Sequence, residues 1–160
     1  MKKMIKLNFY VKSNHWSRRL NKIKMIVNQV IKEKYNLNFD MKKNYYLNII
    51  LINNKKIKKL NKKFKRKNKI TDVLTFVTSQ KNFKFKTDKY CDIFFSAETI
   101  EIDSKKNNIS FYDHFTHLLV HSFLHINDYI HENTKDFIKM KNIEIRILNK
   151  IGLPNPYILQ

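Results

Sequence analysis

Residues 110–131 read SFYDHFTHLLVHSFLHINDYIH and hold five of the six histidines of the chain. Apolar side chains recur there every three or four residues, which predicts a buried helix from Ser110 to Ile126. Asn127 and Asp128 follow, and both residue types tolerate the left-handed backbone conformation that turns a chain after a helix. The sequence therefore predicts a buried helix and then a tight turn ahead of His131.

Three of these histidines have the spacing of metal ligands. His121 and His125 are four residues apart, so a helix places both imidazoles on one face. His131 lies six residues further on and joins them only if the chain leaves the helix and folds back. Three neutral imidazoles leave the fourth tetrahedral position of zinc open to water, the arrangement of catalytic sites. We therefore expect one Zn²⁺ per chain here; the alternative is that these are ordinary surface or core histidines.

Zinc proteases with the pattern His-Glu-x-x-His-x-x-Gly-x-x-His share this spacing. In those enzymes the glutamate after the first histidine serves as the general base. Here Ser122 occupies that position, and Asp128 replaces the turn glycine. Peptide hydrolysis by that route would need a carboxylate from elsewhere in the chain.

In the rest of the chain, the hydrophobic pattern predicts strands alternating with helices early and helices late. The predicted strands span residues 4–11, 45–52, 73–77 and 92–95. The predicted helices span residues 17–35 with Ser17 as N-cap, 54–65 with Asn53 or Asn54 as cap, and 134–151, ended by Gly152 and Pro154. This order predicts an α+β fold, a single mixed sheet with helices packed against it, and a zinc site on a helix and the turn after it. Without repeats, linkers or composition breaks, residues 1–160 are expected to form one domain.

The formal net charge of the chain is +20, from 33 basic and 13 acidic residues. A positive field of this size attracts polyanions, of which nucleic acid is the usual one. Lysine far outnumbers arginine and glycine occurs once, a pattern that a genome poor in G and C would also produce. The charge therefore supports an RNA partner, and mutational bias stays open as its source.

The remaining composition bears on location. No apolar run reaches the roughly 20 residues that span a bilayer, so no membrane segment is expected. Lys6, Asn8 and Lys12 interrupt any signal-like apolar region near the start. Cys91 is the only cysteine, so an intramolecular disulfide is impossible and a reducing cytoplasm is the expected location.

These motifs together resemble the YbeY family of bacterial endoribonucleases, the rRNA maturation factors. Residues 121–131 are similar to the family pattern His-Gly-x-Leu-His-Leu-x-Gly-Tyr-Asp-His, which has no glutamate after the first histidine. Residues 60–65 and 71–76 are similar to its blocks Leu-Asn-x-x-Tyr-Arg and Thr-Asp-Val-Leu-Ser-Phe. Residues 91–93 resemble its Gly-Asp-Ile strand, and residues 152–157 resemble its closing segment. The resemblance covers roughly residues 44–157.

The resemblance implies an α+β fold, one zinc ion on His121, His125 and His131, and hydrolysis of single-stranded RNA. It further implies a role in maturation of the 3' end of 16S ribosomal RNA and in ribosome quality control in the cytoplasm. The implied partners are ribosomal RNA, the small ribosomal subunit and other proteins of ribosome assembly. The family's arginine falls on Lys65, with Arg66 directly after it, so these two residues are the expected catalytic phosphate-binding groups.

Some positions depart from the family pattern. Ser122 and Asp128 replace two glycines, and Ile130 replaces an aspartate that could orient a metal ligand. With lysine in the arginine position, these changes leave open a second class, a catalytically weakened RNA- or ribosome-binding protein that keeps its zinc. A metal site closed by a fourth protein ligand would favour that class, and an open position with bound water would favour the enzyme.

Two further residues are candidates for supporting roles. Asp72 lies in a block that resembles the family and is a candidate general base, although a helix cap or turn residue is an equal interpretation. His117 is one turn before His121, and we expect it to pack beside the site rather than to bind the metal.

Overall fold

The computed structural model describes residues 5–158. These residues form four strands and five α-helices, and a short 3₁₀ turn at Asn14–Trp16. In chain order the elements are β1 (Ile5–Val11), α1 (Leu20–Ile31), β2 (Asn44–Ile52), α2 (Asn54–Lys65), β3 (Val73–Lys81), β4 (Thr87–Ser96), α3 (Ala97–Lys106), α4 (Phe111–Ile126) and α5 (Thr134–Lys150). No helix among the described residues is long and apolar enough to cross a membrane.

The strands form one mixed sheet in the order β1-β2-β4-β3. β1, β2 and β4 run parallel, and β3 pairs antiparallel with β4 at the edge. Along β2, Tyr45, Leu47, Ile49 and Leu51 are buried while the residues between them are partly exposed, the two-residue period of a strand. The predicted α+β class and mixed sheet are confirmed, and residue 4 of the first predicted strand lies outside the described residues.

The β3–β4 hairpin is longer than the sequence predicted. Its ladder runs from Val73 opposite Phe95 to Lys81 opposite Thr87, so most of the supposed lysine-rich connection is strand. The hydrophobic pattern did not predict this part of the hairpin, because the outer half of β3 is exposed and pairs with β4 through backbone groups only. The loop is closed by Asn82, whose side-chain oxygen accepts hydrogen bonds from two backbone N–H groups.

Two helix predictions need correction. α1 begins at Leu20, after Arg19, which makes no side-chain capping bond, and the predicted cap Ser17 instead ends the 3₁₀ turn. α3 was missed because it follows β4 without a breaking residue. Its isoleucines Ile100 and Ile102 are two residues apart, which is a strand-like spacing. α2, predicted from an asparagine cap, and α5, predicted from its apolar pattern, both begin at the expected residue, after Asn53 and Asn133.

The chain divides into two compact units. The first comprises the residues up to Arg18 together with Asp40–Ile100 and contains the sheet and α2. There Ile57 of α2 packs in a buried cluster with Ile52 and Leu74 of the sheet.

The second unit comprises Arg19–Phe39 and the residues from Glu101 onward. Its helix α4 packs against α1 and α5. Phe123 of α4 lies fully buried, with its ring edge to face against Phe39 at a centroid distance of 5.6 Å. The histidine-rich stretch lies wholly in this unit, while the expectation of one domain over residues 1–160 stays a prediction.

Candidate metal centre

Helix α4 places two histidines on one face, near its end. It begins after Ser110, whose hydroxyl accepts a hydrogen bond from the backbone N–H of Asp113 at 3.0 Å. This N-cap satisfies a donor that the first helical turn leaves unpaired. His121 and His125 lie one turn apart and are partly exposed, while most of their neighbours on α4 are buried. The helix and its bounds follow the prediction from periodicity.

The chain reverses direction immediately after α4. Asp128 adopts the left-handed conformation with φ +68°. Asn127 ends the helix with φ −98°, so only one of the two residues expected in that conformation adopts it. The N–H of Tyr129 donates to the carbonyl of Leu124 at 3.1 Å, which closes the turn. The turn carries the chain back toward the helix and returns His131 to the other two histidines.

The three imidazoles meet at one place. A ring nitrogen from each of His121, His125 and His131 lies within 4.8 Å of the corresponding nitrogens of the other two. The ring centroids of His121 and His125 are 4.4 Å apart, and they lie 5.4 and 4.9 Å, respectively, from the ring centroid of His131. The Nε2 atoms of His121 and His125 face each other at 2.9 Å. The spacing-based expectation that the turn brings His131 to the helical pair agrees with this geometry.

Hydrogen bonds on the far sides of the rings decide which nitrogens carry protons. Nδ1 of His125 donates to the carbonyl of Tyr129 at 2.9 Å, and Nδ1 of His121 donates to Oε1 of Glu144 at 2.6 Å. Both rings therefore direct Nε2 toward the shared point. Two Nε2 atoms 2.9 Å apart repel unless a proton or a metal ion lies between them. This donor set fits a metal ion of the zinc class.

Glu144 of α5 is the buried charge behind the histidine cluster. Its side chain is 1% exposed. It accepts hydrogen bonds from Nδ1 of His121 at 2.6 Å, from Nε2 of His117 at 2.8 Å and from the hydroxyl of Tyr157. Both carboxylate oxygens are thus occupied, and the group orients His121 from the side away from the shared point.

This environment fixes the charge of Glu144. Burial raises the pKa of its carboxyl, but the hydrogen bonds from His117, His121 and Tyr157 outweigh burial and lower the pKa to about 2. Burial, followed by the contact with the carboxylate, raises the pKa of the Tyr157 phenol. At neutral pH the site therefore holds an ionised carboxylate beside a neutral phenol.

Sequence reasoning missed Glu144 as part of the site. It lies on the buried stripe of α5, four residues after Met140 and three before Ile147, both of which are buried. An ionisable group in such a stripe needs a polar partner, because an unpaired buried charge is strongly destabilising. The periodicity of the predicted helix therefore indicated a buried glutamate with a polar partner. It could not identify that partner, because the partner lies on α4.

His117 supports the site from behind. Its Nε2 faces Glu144, and its ring packs edge to face against Tyr157 at a centroid distance of 5.5 Å. The ring does not join the group formed by His121, His125 and His131. This arrangement agrees with the expectation that His117 packs beside the candidate ligands.

The sequence matches the family described as endoribonuclease YbeY over residues 9–152, which is most of the chain. The chain belongs to the YbeY family. The match includes α4, the turn after it and α5, so it covers every residue of the histidine cluster and Glu144.

Individual YbeY relatives agree over nearly the full length. The endoribonuclease YbeY of Ehrlichia chaffeensis is 36% identical, with 97% of each chain covered. That of Ehrlichia canis is 37% identical, again with 97% of each covered. The solution structure of a Thermotoga maritima protein superposes with a TM-score of 0.53 at 22% identity, covering 92% of this chain and 91% of that one. At that identity the structural likeness concerns the fold alone.

The structure accommodates the departures from the YbeY pattern around the histidines. Ser122 is buried, and its hydroxyl donates to the carbonyl of Leu118 at 2.8 Å, so the added side chain leaves no polar atom unpaired. Asp128 takes the left-handed conformation for which the family uses glycine. Ile130, in place of an aspartate, is 48% exposed. The chain therefore keeps the histidine geometry without these three family residues.

The expected phosphate-binding residues lie at the end of α2 in the first unit. Lys65 is the last residue of that helix, and Arg66 caps it with φ +55°. Both are exposed, and the ammonium of Lys65 lies 5.8 Å from the ring centre of Phe76. Their exposure leaves both cations accessible to a phosphate. Their catalytic role remains a prediction.

Asp72, the other candidate, makes local bonds. Its Oδ1 accepts the backbone N–H of Val73 at 2.8 Å and the hydroxyl of Thr71 at 3.3 Å. Such contacts are typical of a turn residue at the start of a strand. They fit the structural interpretation of Asp72, and its role as a general base stays a prediction.

Proposed function

We propose that this chain is a zinc-dependent, single-strand-specific endoribonuclease that matures ribosomal RNA, including the 3' end of 16S rRNA, and takes part in ribosome quality control. Membership of the endoribonuclease YbeY family supports RNA as the substrate. The observation that carries the metal dependence is the convergence of three imidazoles, two of which turn Nδ1 toward acceptors on their far sides and Nε2 toward the shared point. The site on α4 and its turn would hold one Zn²⁺ through His121, His125 and His131.

The chain's own residues prepare the reaction in three ways. Glu144 and the carbonyl of Tyr129 fix the tautomers of two candidate ligands, so that both rings direct Nε2 toward the position a cation would take. A bound zinc would supply a Lewis acid and an acidified water for attack on a phosphodiester. Lys65 and Arg66 would offset the charge that develops on the phosphate.

The proposed partners are ribosomal RNA, the small ribosomal subunit and other proteins of ribosome assembly, in the cytoplasm. A formal charge of +20 supports association with a polyanion of this kind. Cys91 supports a reducing compartment, since it is a buried free thiol whose pKa burial raises to about 12.

A second candidate function is an RNA- or ribosome-binding protein with weakened catalysis and a retained zinc. Two observations favour it specifically. Ile130 replaces the acidic family residue beside His131, and Lys65 offers a point charge where the family has a two-pronged guanidinium. The protease alternative has less support, because both oxygens of Glu144 already accept hydrogen bonds and face the outer sides of the histidine rings.

An RNA cleavage assay with metal removal tests the proposed function. The purified chain should cleave single-stranded RNA, lose this activity on treatment with a chelator and regain it when zinc is added. His121→Ala should abolish both zinc binding and cleavage, whereas His15→Ala, a change at a histidine of the first unit, should affect neither. RNA binding without cleavage in the zinc-loaded chain would favour the second candidate.

A further inference from the structure

The first unit carries a groove on one face of its sheet, remote in sequence from the histidine-rich stretch. The groove lies between α2 and the strands β1, β2 and β4, and its volume is about 600 Å³. Its floor includes Asn48, Ile50, Asp92 and Phe94, which alternate along two neighbouring strands. Cavities of this size are typical of sites for small molecules and single nucleotides. The groove uses none of the residues assigned above to the metal centre or to phosphate binding.

A row of polar side chains crosses the floor of the groove. The amide of Asn8 donates to Oδ1 of Asn48 at 3.1 Å, and the amide of Asn48 donates to Oδ1 of Asp92 at 2.8 Å. These hydrogen bonds fix the orientation of the Asn48 and Asp92 side chains. Asn48 and Asp92 each retain hydrogen-bonding capacity on the atoms that these bonds do not use. Together they present a donor and acceptors of the kind that recognise the edge of a nucleic acid base.

Cations surround this polar floor. Lys12 follows β1, and Lys56 and Lys59 lie on the α2 wall, all three exposed. The ammonium of Lys56 donates to the backbone carbonyl of Lys12 at 2.7 Å, which holds it at the rim. Three lysines and one carboxylate, that of Asp92, thus line the groove. This distribution favours an anionic group at the rim and a hydrogen-bond donor on the floor.

Aromatic rings complete the surface. Tyr10 lines the groove with 44% of its surface exposed. Tyr46 and Tyr90 stack on each other at 4.7 Å with a 9° angle between their planes. They lie two residues before Asn48 and Asp92 on the same strands, so they belong to the same face of the sheet. Exposed aromatic rings on a sheet face are the platforms on which single-stranded RNA bases stack.

We propose that this groove binds one nucleotide of single-stranded RNA, with its base on the floor beside Tyr10 and its phosphate at Lys56 and Lys59. The Asp92 carboxylate repels phosphate and accepts hydrogen bonds from base N–H groups. The nucleotide should therefore bind with its base, and not its phosphate, on the floor. The inference rests on the proposed function only in taking RNA as the ligand. It assigns a binding subsite that contributes affinity and no chemical step.

The test measures binding of a labelled 12-nucleotide single-stranded RNA to the full chain, with a chelator present to keep the RNA intact. Tyr10→Ala should lower affinity about 5- to 100-fold through loss of base stacking. Tyr35→Ala, which removes a tyrosine that is 67% exposed in the second unit, is its control and should leave affinity unchanged. Both tyrosines are exposed, so neither change should affect folding.

Salt dependence tests the phosphate half of the inference. Lys59→Ala should make the slope of log affinity against log salt concentration shallower by about 0.7, the value for one lost contact to a single-strand phosphate. Lys58→Ala removes the neighbouring exposed lysine of α2, which does not line the groove, and should leave the slope unchanged. Equal affinities and slopes in wild type, Tyr10→Ala and Lys59→Ala would overturn the groove assignment.

Cleavage with zinc separates this inference from the proposed function. If the chain cleaves RNA and the groove variants bind it as wild type does, the groove assignment fails while the proposed function stands. If the groove variants lose affinity and the zinc-loaded wild type does not cleave, the groove assignment stands and the enzyme proposal fails.

Discussion

Glu144 shows how one residue links the helices of the second unit to the candidate metal centre. Its carboxylate is buried, ionised and bonded to His117, His121 and Tyr157. A glutamate that only stabilised packing would not need a histidine on each oxygen. The geometry instead holds the proton of His121 on Nδ1 and directs its Nε2 toward the other two histidines, which is the tautomer that binds a metal.

Glu144→Gln tests this role at the residue scale. The amide keeps the size of the side chain, but its NH₂ group cannot accept hydrogen bonds from the rings. We expect zinc affinity to fall about 10- to 100-fold, as on loss of other groups that orient metal ligands. Competition with a chromophoric chelator, below the unfolding temperature of the variant, measures this change.

The matched control is Glu132→Gln, which makes the same chemical change at an exposed position. It should bind zinc as wild type does. Equal zinc affinity in Glu144→Gln and wild type would show that His121 does not depend on this carboxylate for its orientation.

The candidate ligands could be identified from sequence because their geometry is local. The helical period fixes the relation of His121 to His125, and the polar pair after Ile126 marks the turn. Glu144 could not be paired with them in the same way. It is separated from His121 by 23 residues, and only the packing of α5 on α4 brings the two together.

At the scale of elements, the end of α2 carries the proposed phosphate-binding cations. Lys65 closes the helix, and Arg66 takes the left-handed cap position, so their side chains leave the helix in different directions. The family's arginine aligns with Lys65, while the retained guanidinium belongs to Arg66. Position in the family motif therefore favours Lys65 for the proposed role, whereas side-chain chemistry favours Arg66.

Alanine substitutions at the two positions distinguish them. Arg66→Ala should leave zinc content intact and lower the rate of RNA cleavage by roughly 10- to 1000-fold, the range for losing one group that stabilises transition-state charge. A larger loss of cleavage rate in Lys65→Ala than in Arg66→Ala would show that Lys65 performs the role of the family's arginine. Zinc content and single-turnover rates should be measured on the same samples.

Lys62→Ala, at another exposed lysine of α2, is the control for the loss of general positive charge. It should retain nearly full activity. Full activity in Lys65→Ala, Arg66→Ala and the double variant would remove both residues from the mechanism while leaving the zinc assignment intact.

Elements differ in how far their sequences determine them. α2, α4 and α5 were predicted because each has an apolar stripe, to which α2 adds an asparagine cap, and the structure shows a side-chain N-cap in all three. α3 has no such stripe, and the outer half of β3 is exposed on both faces. The exposed half of β3 and the weakly periodic α3 give no hydrophobic pattern in the sequence. Their structure is therefore determined by the elements around them in the fold.

At the scale of the whole molecule, the α+β class followed from the order of the elements, but the strand order did not. β4 is inserted between β2 and β3, parallel to one and antiparallel to the other. The side-chain pattern of a strand shows which of its faces is buried and does not identify its neighbours. The charge of +20 likewise indicates a polyanionic partner without showing which surface binds it.

We propose that the folded chain holds one zinc ion on three histidines with a position open to water. Zinc K-edge X-ray absorption on the chain loaded with one equivalent of zinc measures this coordination shell. We expect three imidazole nitrogens at about 2.0–2.1 Å and one non-imidazole oxygen. A shell of four imidazoles, or of fewer than three, would refute the proposed metal centre.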